Sequence, residues 1–239
     1  MKSDWKLTGV SVVAEGNDKK ELLKDINMFI NAGEITLLIG CNGAGKSTLL
    51  ETMAGIRKVE EGNIELGDED LWIKGKRRKQ INRNVALKYG IAMQSSESQW
   101  FAATVRDELL YSLKPYGLDE ASAVKRIEHA LAEVGLPLET MERDPWTLSG
   151  GQQRRLSIAC LLACQPEWLL LDEPTAGLDA VGIRRLYAVL EAHRAAGRGA
   201  VVATHDLDAL LPLADAVAVV SGGTVRAAAP AAAIAHAAA

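Results

Sequence analysis

One short stretch, Gly-Cys-Asn-Gly-Ala-Gly-Lys-Ser-Thr at residues 40–48, limits more than any other what this chain can fold into. It fits the pattern G-x-x-x-x-G-K-[ST], with the apolar run Ile35–Ile39 before it and a helical pattern after it. Glycines let successive backbone N–H groups curl inward around an anion at the start of a helix. The sequence therefore predicts a buried strand, a phosphate-binding loop and a helix, in that order.

The side chains of this loop suit a nucleoside triphosphate with Mg²⁺. Lys46 can reach the β- and γ-phosphates, and the Ser47 hydroxyl can bind the metal ion. A phosphate loop alone leaves kinases, GTPases and many ATPases open. The other candidate nucleotide contacts in the loop are Gly40, Asn42, Gly43, Ala44, Gly45 and Thr48.

Length and composition set the outer limits. The 239 residues, 48% hydrophobic and 24% charged, fit one large α/β domain with room for an inserted lobe. A formal charge of −4 argues against a general nucleic-acid binder. No apolar run approaches the ~18–20 residues that span a bilayer, and Met1–Trp5 does not resemble a signal peptide, so we expect a cytosolic location that leaves room for a membrane partner. Cys160 and Cys164 lie in an apolar helical pattern and are expected to be small buried hydrophobic residues.

The order of strand and helix patterns indicates a parallel sheet covered on both faces, since all-apolar strands alternate with helices. The segment from about 100 to 165 is helical only and predicts a separate lobe. Residues 75–79 form a basic loop, for which a solvated loop and a contact with anionic lipid headgroups both stay open. We assign no function to the alanine-rich tail, 227–239. The predicted strands are 7–13, 26–30, 35–39, 64–66, 91–93, 168–171, 200–203 and 216–220. One predicted helix begins after residue 45, and three more begin at 104, 119 and 149. Two further helices are predicted at 180–196 and 206–213.

The apolar run Leu169–Leu171 ends in two carboxylates, Asp172 and Glu173. At the carboxyl end of a strand beside the phosphate loop, Asp172 can hold the Mg²⁺ shell through water. Glu173, the next residue, is placed to polarise an attacking water, and a positioned base contributes ~10²–10⁴-fold to a rate.

A second glycine pair lies in Leu148–Arg155, where Ser149 precedes Gly150 and Gly151 at a predicted helix start. This makes a second anion-binding helix N-terminus in one chain. One nucleotide does not need two such cradles from the same subunit. In a head-to-tail dimer, each cradle would grip the γ-phosphate held by the phosphate loop of the other copy.

In their order along the chain, these motifs resemble the nucleotide-binding subunit of ATP-binding cassette proteins, over nearly the whole length. The resemblance implies an α/β fold, a P-loop NTPase cassette with a mostly parallel sheet core, an antiparallel β subdomain and an inserted α-helical subdomain. It implies a single domain over 1–239. Its parts would be the β subdomain and P-loop core at 1–95, the helical subdomain at 96–165, the remaining core at 166–226 and the tail at 227–239.

The resemblance also implies roles for single residues, with ATP and Mg²⁺ as cofactors. Gln94 corresponds to the Q-loop glutamine, and Ser149, Gly150, Gly151 and Gln152 to the signature motif. Asp172 and Glu173 correspond to the Walker B aspartate and the catalytic base. Asp179 matches the D-loop along the dimer seam, and His205 the switch histidine that contacts the γ-phosphate. The implied sets are Glu173, His205 and Gln94 for catalysis and Ser47, Gln94 and Asp172 for the metal ion.

One feature departs from the family. Its members commonly stack adenine on an aromatic residue near the first strand, where this chain has Val13 and Ala14. Loss of a stacking contact costs ~1–3 kcal/mol, so we expect weaker ATP affinity or poor base discrimination. Trp5 is a candidate substitute.

The segment Gln94–Glu108 resembles energy-coupling factor transporters, prokaryotic importers of vitamins and metal ions, although Ser96 stands where proline is usual. The implied partners are a second cassette subunit and one or more transmembrane subunits, with no nucleic acid, and the implied location is the cytoplasmic face of the membrane. Trp100 and Phe101 are either an anchor for a partner helix or part of the lobe core. The alternative is the ATPase subunit of a conventional importer or exporter; ribosome-acting and DNA-repair cassettes, kinases and GTPases fit the motifs less well.

Overall fold

The structure, a computed structural model, describes residues 3–14, 16, 20–75, 79–94 and 100–228. Most of the predicted basic loop (76–78), the start of the segment after Gln94 (95–99) and the tail beyond 228 lie outside the described residues.

The described parts of the chain contain short and long strands that alternate with helices. The strands are β1 (Trp5–Val13), β2 (Glu21–Ile30), β3 (Ile35–Ile39), β4 (Glu61–Leu66), β5 (Glu69–Asp70), β6 (Trp72–Lys74), β7 (Lys79–Ile81), β8 (Tyr89–Ala92), β9 (Trp168–Asp172), β10 (Gly199–Ala203), β11 (Ala216–Ser221) and β12 (Thr224–Ala228). The α-helices are α1 (Lys46–Met53), α2 (Arg83–Ala86), α3 (Val105–Leu113), α4 (Glu120–Val134), α5 (Gly150–Ala163), α6 (Ala180–Ala195) and α7 (Leu207–Leu210).

A six-stranded sheet in the order β12-β11-β3-β10-β9-β8 forms the centre of the molecule. Its strands from β11 to β8 are parallel, and β12 pairs antiparallel at the edge. Because parallel strands end at one edge of a sheet, the segments that follow β3, β8, β9 and β10 meet there. A second, antiparallel sheet has the order β2-β1-β4-β5, and β6 pairs with β7.

The central sheet separates two hydrophobic cores. One face, with Leu37, Leu171 and Val202, packs in a cluster with the apolar residues of α3, α4, α5 and α6. The other face, with Leu38 and Leu170, packs in a cluster with α1 and the antiparallel sheet. Successive side chains of a strand point to opposite faces, so an all-apolar strand fills both cores. The predicted fold class is confirmed, with the parallel core, the antiparallel sheet and the helices between β8 and β9.

The structure adds elements that the sequence patterns did not predict, namely β5, β6, β7, α2 and the edge strand β12. The helix predicted at 206–213 is shorter, because α7 gives way to a 3₁₀ turn at Leu211–Leu213 that carries Pro212. Proline removes a backbone donor and clashes with the preceding helical turn. The boundaries of the predicted domain parts remain a prediction.

Trp5 does not replace the missing adenine-stacking residue. Its side chain is fully buried, with its ring centroid 5.6 Å from that of Tyr89 and 6.3 Å from that of Trp168. A buried ring in the core has no face free for a base, so the suggestion made from its position in the sequence was wrong. Weak ATP affinity or poor base discrimination stays a prediction.

His193, on the buried face of α6, makes stability depend on pH. Burial, followed by the nearby charge of Arg198, lowers its pKa from 6.5 to about 4. In the unfolded chain His193 binds a proton as the pH falls below 6.5, whereas in the folded chain it binds one only near pH 4. We expect the free energy of unfolding to fall by up to about 3 kcal/mol as the pH is lowered from 6.5 to about 4, and urea denaturation across this pH range measures it.

The His193→Gln variant should lose this part of the pH dependence, because glutamine does not titrate. His129→Gln is the matched control, since the His129 side chain is 72% exposed. Equal pH slopes for His193→Gln and the wild type would contradict the assignment.

Candidate functional site

The phosphate-binding loop follows β3 and its glycines have the backbone angles that the turn requires. Gly40 has φ +148°, and a Cβ there would lie 2.1 Å from the carbonyl oxygen of Val220. Gly45, the N-cap of α1, has φ +112°. Side chains other than glycine are strained at such angles, so both positions need glycine. The backbone N–H of Gly223 donates to Ala44 O at 3.1 Å and ties the loop to the β11–β12 turn.

Lys46 is buried, and its Nζ donates to the carbonyl oxygens of Gly40 at 2.8 Å and Cys41 at 3.3 Å. The ammonium group is thus held over the loop, at the wall of a cavity of about 340 Å³. A triphosphate in that cavity would meet a cation and the N-terminus of α1. The lining residues are Asn42, Gly43, Gly45, Lys46, Ser47, Thr48, Gln94, Glu173 and His205.

Asp172, the last residue of β9, is buried, and its Oδ1 has no hydrogen-bond partner among the described residues. Burial raises the pKa of its carboxyl, while a hydrogen bond with Ser47 acts in the opposite direction. A buried carboxylate oxygen without a hydrogen-bond partner, next to a hydroxyl group, can coordinate a hard cation.

Glu173 follows directly and has the unusual backbone angle φ +48°. Its carboxylate is buried, and Oε2 lies 2.8 Å from Nδ1 of His205 and accepts the His205 backbone N–H at 3.3 Å. The backbone N–H of Glu173 donates to Ala203 O, which fixes the turn. A carboxylate that a histidine orients at a cavity wall can accept a proton from water.

The second glycine cradle lies at the start of α5. Ser149 caps the helix through a reciprocal pair, in which its Oγ accepts from the Gln152 N–H at 3.3 Å and Oε1 of Gln152 accepts from the Ser149 N–H at 3.0 Å. Gly150 and Gly151 follow with no side chain to cover the helix end. None of residues 149–152 lines the cavity beside Lys46. The two predicted cradles are therefore separate features of the described structure.

The D-loop segment lies beside this second cradle. A Cβ on Gly151 would be 3.1 Å from the carbonyl oxygen of Gly177. Asp179 caps α6, with Oδ1 accepting the Gly182 N–H at 2.7 Å. Asp179 thus has a structural role in its own chain and does not line the cavity.

Sequence reasoning missed Arg154. Its guanidinium is buried and donates to the carbonyl oxygens of Met93, Gln94, Asp172 and Glu173. One signal was present in the sequence, because Arg154 lies four residues before Ile158 and so on the buried face of a predicted helix.

Trp100 and Phe101 differ in their surroundings. Trp100 is 7% exposed, belongs to the core, and donates from Nε1 to Oε1 of Gln153 at 3.1 Å. Phe101 is 61% exposed and packs edge-on against the exposed Tyr111, with ring centroids 4.5 Å apart. The core alternative is therefore right for Trp100, and Phe101 is the exposed half of the pair. Cys160 is buried and Cys164 half-buried, as expected.

The cavity brings together most of the predicted site residues. Residues of the phosphate loop, Gln94, Glu173 and His205 line it, and Asp172 hydrogen-bonds with Ser47 of that loop. Residues 149–152 and Asp179 lie apart from it. Among the described helices, none combines the length and apolarity that crossing a membrane requires.

A family model, described as ABC transporter, matches residues 23–176. An energy-coupling factor transporter ATP-binding protein of Latilactobacillus sakei, EcfA2, is 41% identical over 207 residues, which cover 85% of this chain and 69% of the relative. The cobalt import ATP-binding protein CbiO of Rhodobacter capsulatus is 40% identical over 212 residues, 89% of this chain and 74% of the relative.

A solved structure has the same arrangement of elements. It is a dimeric ATP-binding cassette in a post-hydrolysis state with bound ADP and Pi, MJ0796, with a TM-score of 0.82 and 25% identity. The match covers 95% of this chain and 98% of that one.

Proposed function

The chain belongs to the ABC transporter family, and we propose that it is the ATP-hydrolysing subunit of an importer of the energy-coupling factor type, for a vitamin or a metal ion. The observation that carries the hydrolytic part is the Glu173–His205 pair at a cavity walled by Lys46. The importer type follows from the named relatives at 40 and 41% identity.

The residues of the cavity divide the work of hydrolysis. Lys46 and the N–H groups of the phosphate loop hold the β- and γ-phosphates. His205 orients the Glu173 carboxylate, which accepts the proton of the attacking water. Gln94 lies at the same cavity and is exposed, so it is available to both ATP and a partner.

The metal set fits Mg²⁺. Ser47 and Asp172 lie side by side, and the buried Oδ1 of Asp172 is without a partner in the described structure. Mg²⁺ demands oxygen ligands and keeps several waters, which suits one hydroxyl and one carboxylate next to phosphate oxygens. When bound, the ion would neutralise charge on the phosphates; Gln94, on the cavity wall, would complete the set through water.

Removal of the metal gives a direct check. ATPase activity should be lost in EDTA and return with Mg²⁺. The Asp172→Asn variant should need at least about tenfold more Mg²⁺ for half-maximal activity, since a charge-assisted ligand is lost. Asp68→Asn, in an exposed turn, is the control with the same chemical change. An unchanged Mg²⁺ requirement in Asp172→Asn would remove Asp172 from the metal set.

The active form would be a head-to-tail dimer of cassette subunits. The cradle at Ser149–Gln152 lies outside the cavity of its own chain, so it is free to meet the γ-phosphate held by a second subunit. The solved dimeric cassette supports this arrangement. ATP would join the two subunits, and hydrolysis would release them.

The membrane partner would meet the helical part of the molecule. Phe101 and Tyr111 form an exposed aromatic pair, and Nζ of Lys114 lies 4.8 Å from the Tyr111 ring centroid. Aromatic anchors dominate the energetics of interfaces. The subunit would thus lie at the cytoplasmic face of the membrane of a prokaryotic cell.

The test is to purify the tagged chain from the membranes of its host and identify the subunits that accompany it. A second cassette subunit, a transmembrane coupling protein and a small substrate-binding membrane protein are expected. A pair of transmembrane subunits of a conventional importer or exporter would support the alternative instead. Recovery without any membrane protein, with ATPase activity intact, would contradict a transport role.

A further inference from the structure

Arg154 connects two loops of the cavity to the helix that carries the second glycine cradle. It lies in the second turn of α5 and is 2% exposed. Its Nη1 donates to Met93 O at 2.6 Å and to Gln94 O at 3.3 Å. Its Nη2 donates to the carbonyl oxygens of Asp172 and Glu173. One side chain therefore holds the loop that follows β8 and the loop that follows β9.

Only arginine supplies this geometry. The guanidinium is planar and carries five N–H donors in a fixed fork, which lets its two ends reach two different segments. The ammonium of lysine carries three donors around one atom and would satisfy one loop at the expense of the other. Burial makes the loss of a donor costly, because the carbonyl oxygens are then left without a partner.

We propose that Arg154 is a positioning residue that transmits contact at the α5 N-terminus to Gln94 and Glu173. The proposal rests on the dimer described above, in which Ser149 contacts the ATP of a second subunit. Arg154 is five residues from Ser149 along a rigid helix, or about 8 Å. A shift of α5 upon that contact therefore moves the backbone of both loops, and with it the attacking-water site of the same chain.

Arg155 is the matched control on the same helix. Its Nη1 donates to the carbonyl oxygens of Gly135 at 2.8 Å and Val134 at 3.3 Å. Both acceptors lie at the end of α4, so Arg155 ties one helix of this region to another. It shares the residue type, the helix and the kind of acceptor with Arg154. Its Nε also donates to Gly151 O at 3.4 Å, a contact within α5, and none of these acceptors belongs to the loops that follow β8 and β9.

Arg154→Lys and Arg155→Lys should be compared for kcat, for the KM of ATP and for melting temperature. We expect Arg154→Lys to lower kcat at least tenfold with the KM of ATP within threefold, and Arg155→Lys to keep kcat within twofold. If Arg154→Lys does not fold, Arg154→Gln takes its place, since it is neutral and keeps two donors. A wild-type kcat in the folded Arg154 variant, or an equal loss in Arg155→Lys, would overturn the proposal.

A double-mutant cycle tests the transmission itself. If Arg154 acts on the path from Ser149, the Ser149→Ala/Arg154→Lys variant should lose no more than about threefold beyond the worse single variant. If the fold losses in kcat of the two single variants instead multiply in the double variant, the coupling is overturned and Arg154 only supports the loops locally. These outcomes differ from failure of the proposed function, in which the wild-type protein itself would show no ATPase activity.

Discussion

Glu173→Gln is expected to lower kcat for ATP hydrolysis by about 10²–10⁴-fold, because glutamine cannot accept the proton of the attacking water. The side chain has nearly the same shape, so ATP should still bind. The variant should accumulate as an ATP-bound dimer, since the step that releases the subunits is blocked. Phosphate release measures the first effect, and light scattering after size-exclusion chromatography with ATP measures the second.

Glu191→Gln, on the exposed side of α6, is the control for this change. It should hydrolyse ATP at the wild-type rate and stay monomeric or dimeric as the wild type does. Undiminished turnover in Glu173→Gln would remove Glu173 from the mechanism. Loss of turnover without any dimer in ATP would retain the base and contradict the proposed assembly.

Lys46→Met should weaken ATP binding by about 10–100-fold, since a hydrogen bond to a charged group is worth about 1.5–3 kcal/mol. The lysine already lies against the loop, where its Nζ binds Gly40 O and Cys41 O. Little ordering is therefore needed when phosphates arrive, and the substitution removes a preformed contact. Titration with a fluorescent ATP analogue measures the dissociation constant.

Lys125→Met is the matched control, because Lys125 is exposed on α4. Its affinity should equal that of the wild type. The melting temperature of both variants shows whether the fold survives. Equal affinities for folded Lys46→Met and the wild type would mean that Lys46 does not contact the phosphates.

The sequence predicted the residues that line the cavity more completely than it predicted the strands around them. Residues such as Lys46 and Glu173 lie in motifs whose glycines and strand ends are visible as local patterns. The edge strand β12 is not evident in the sequence, because its alanines resemble those of the tail that follows. It pairs with β11 across a turn at Gly222 and Gly223. Pairing between strands is set by tertiary contacts, which a local pattern does not record.

Two side chains show where local patterns fail at the level of the site. Trp5 is close in sequence to the expected adenine position, yet it packs against Tyr89 and Trp168 in the core. Arg154 reads as one charge among several after Gln152, yet it contacts loops that are 60 and 18 residues away along the chain. Both outcomes depend on how distant strands align, which the sequence alone does not specify.

The left-handed backbone at Glu173 has a consequence for the protein's evolution and engineering. Most side chains lose roughly 1–2 kcal/mol at such an angle, and glycine, or asparagine, which tolerates it better than most residues, would relieve the strain. A library screened for heat resistance alone should thus enrich replacements at this position, and each of them would discard the carboxylate. Thermal stability and catalytic activity therefore oppose each other at Glu173, and a selection for stability alone would yield a stable but inactive protein.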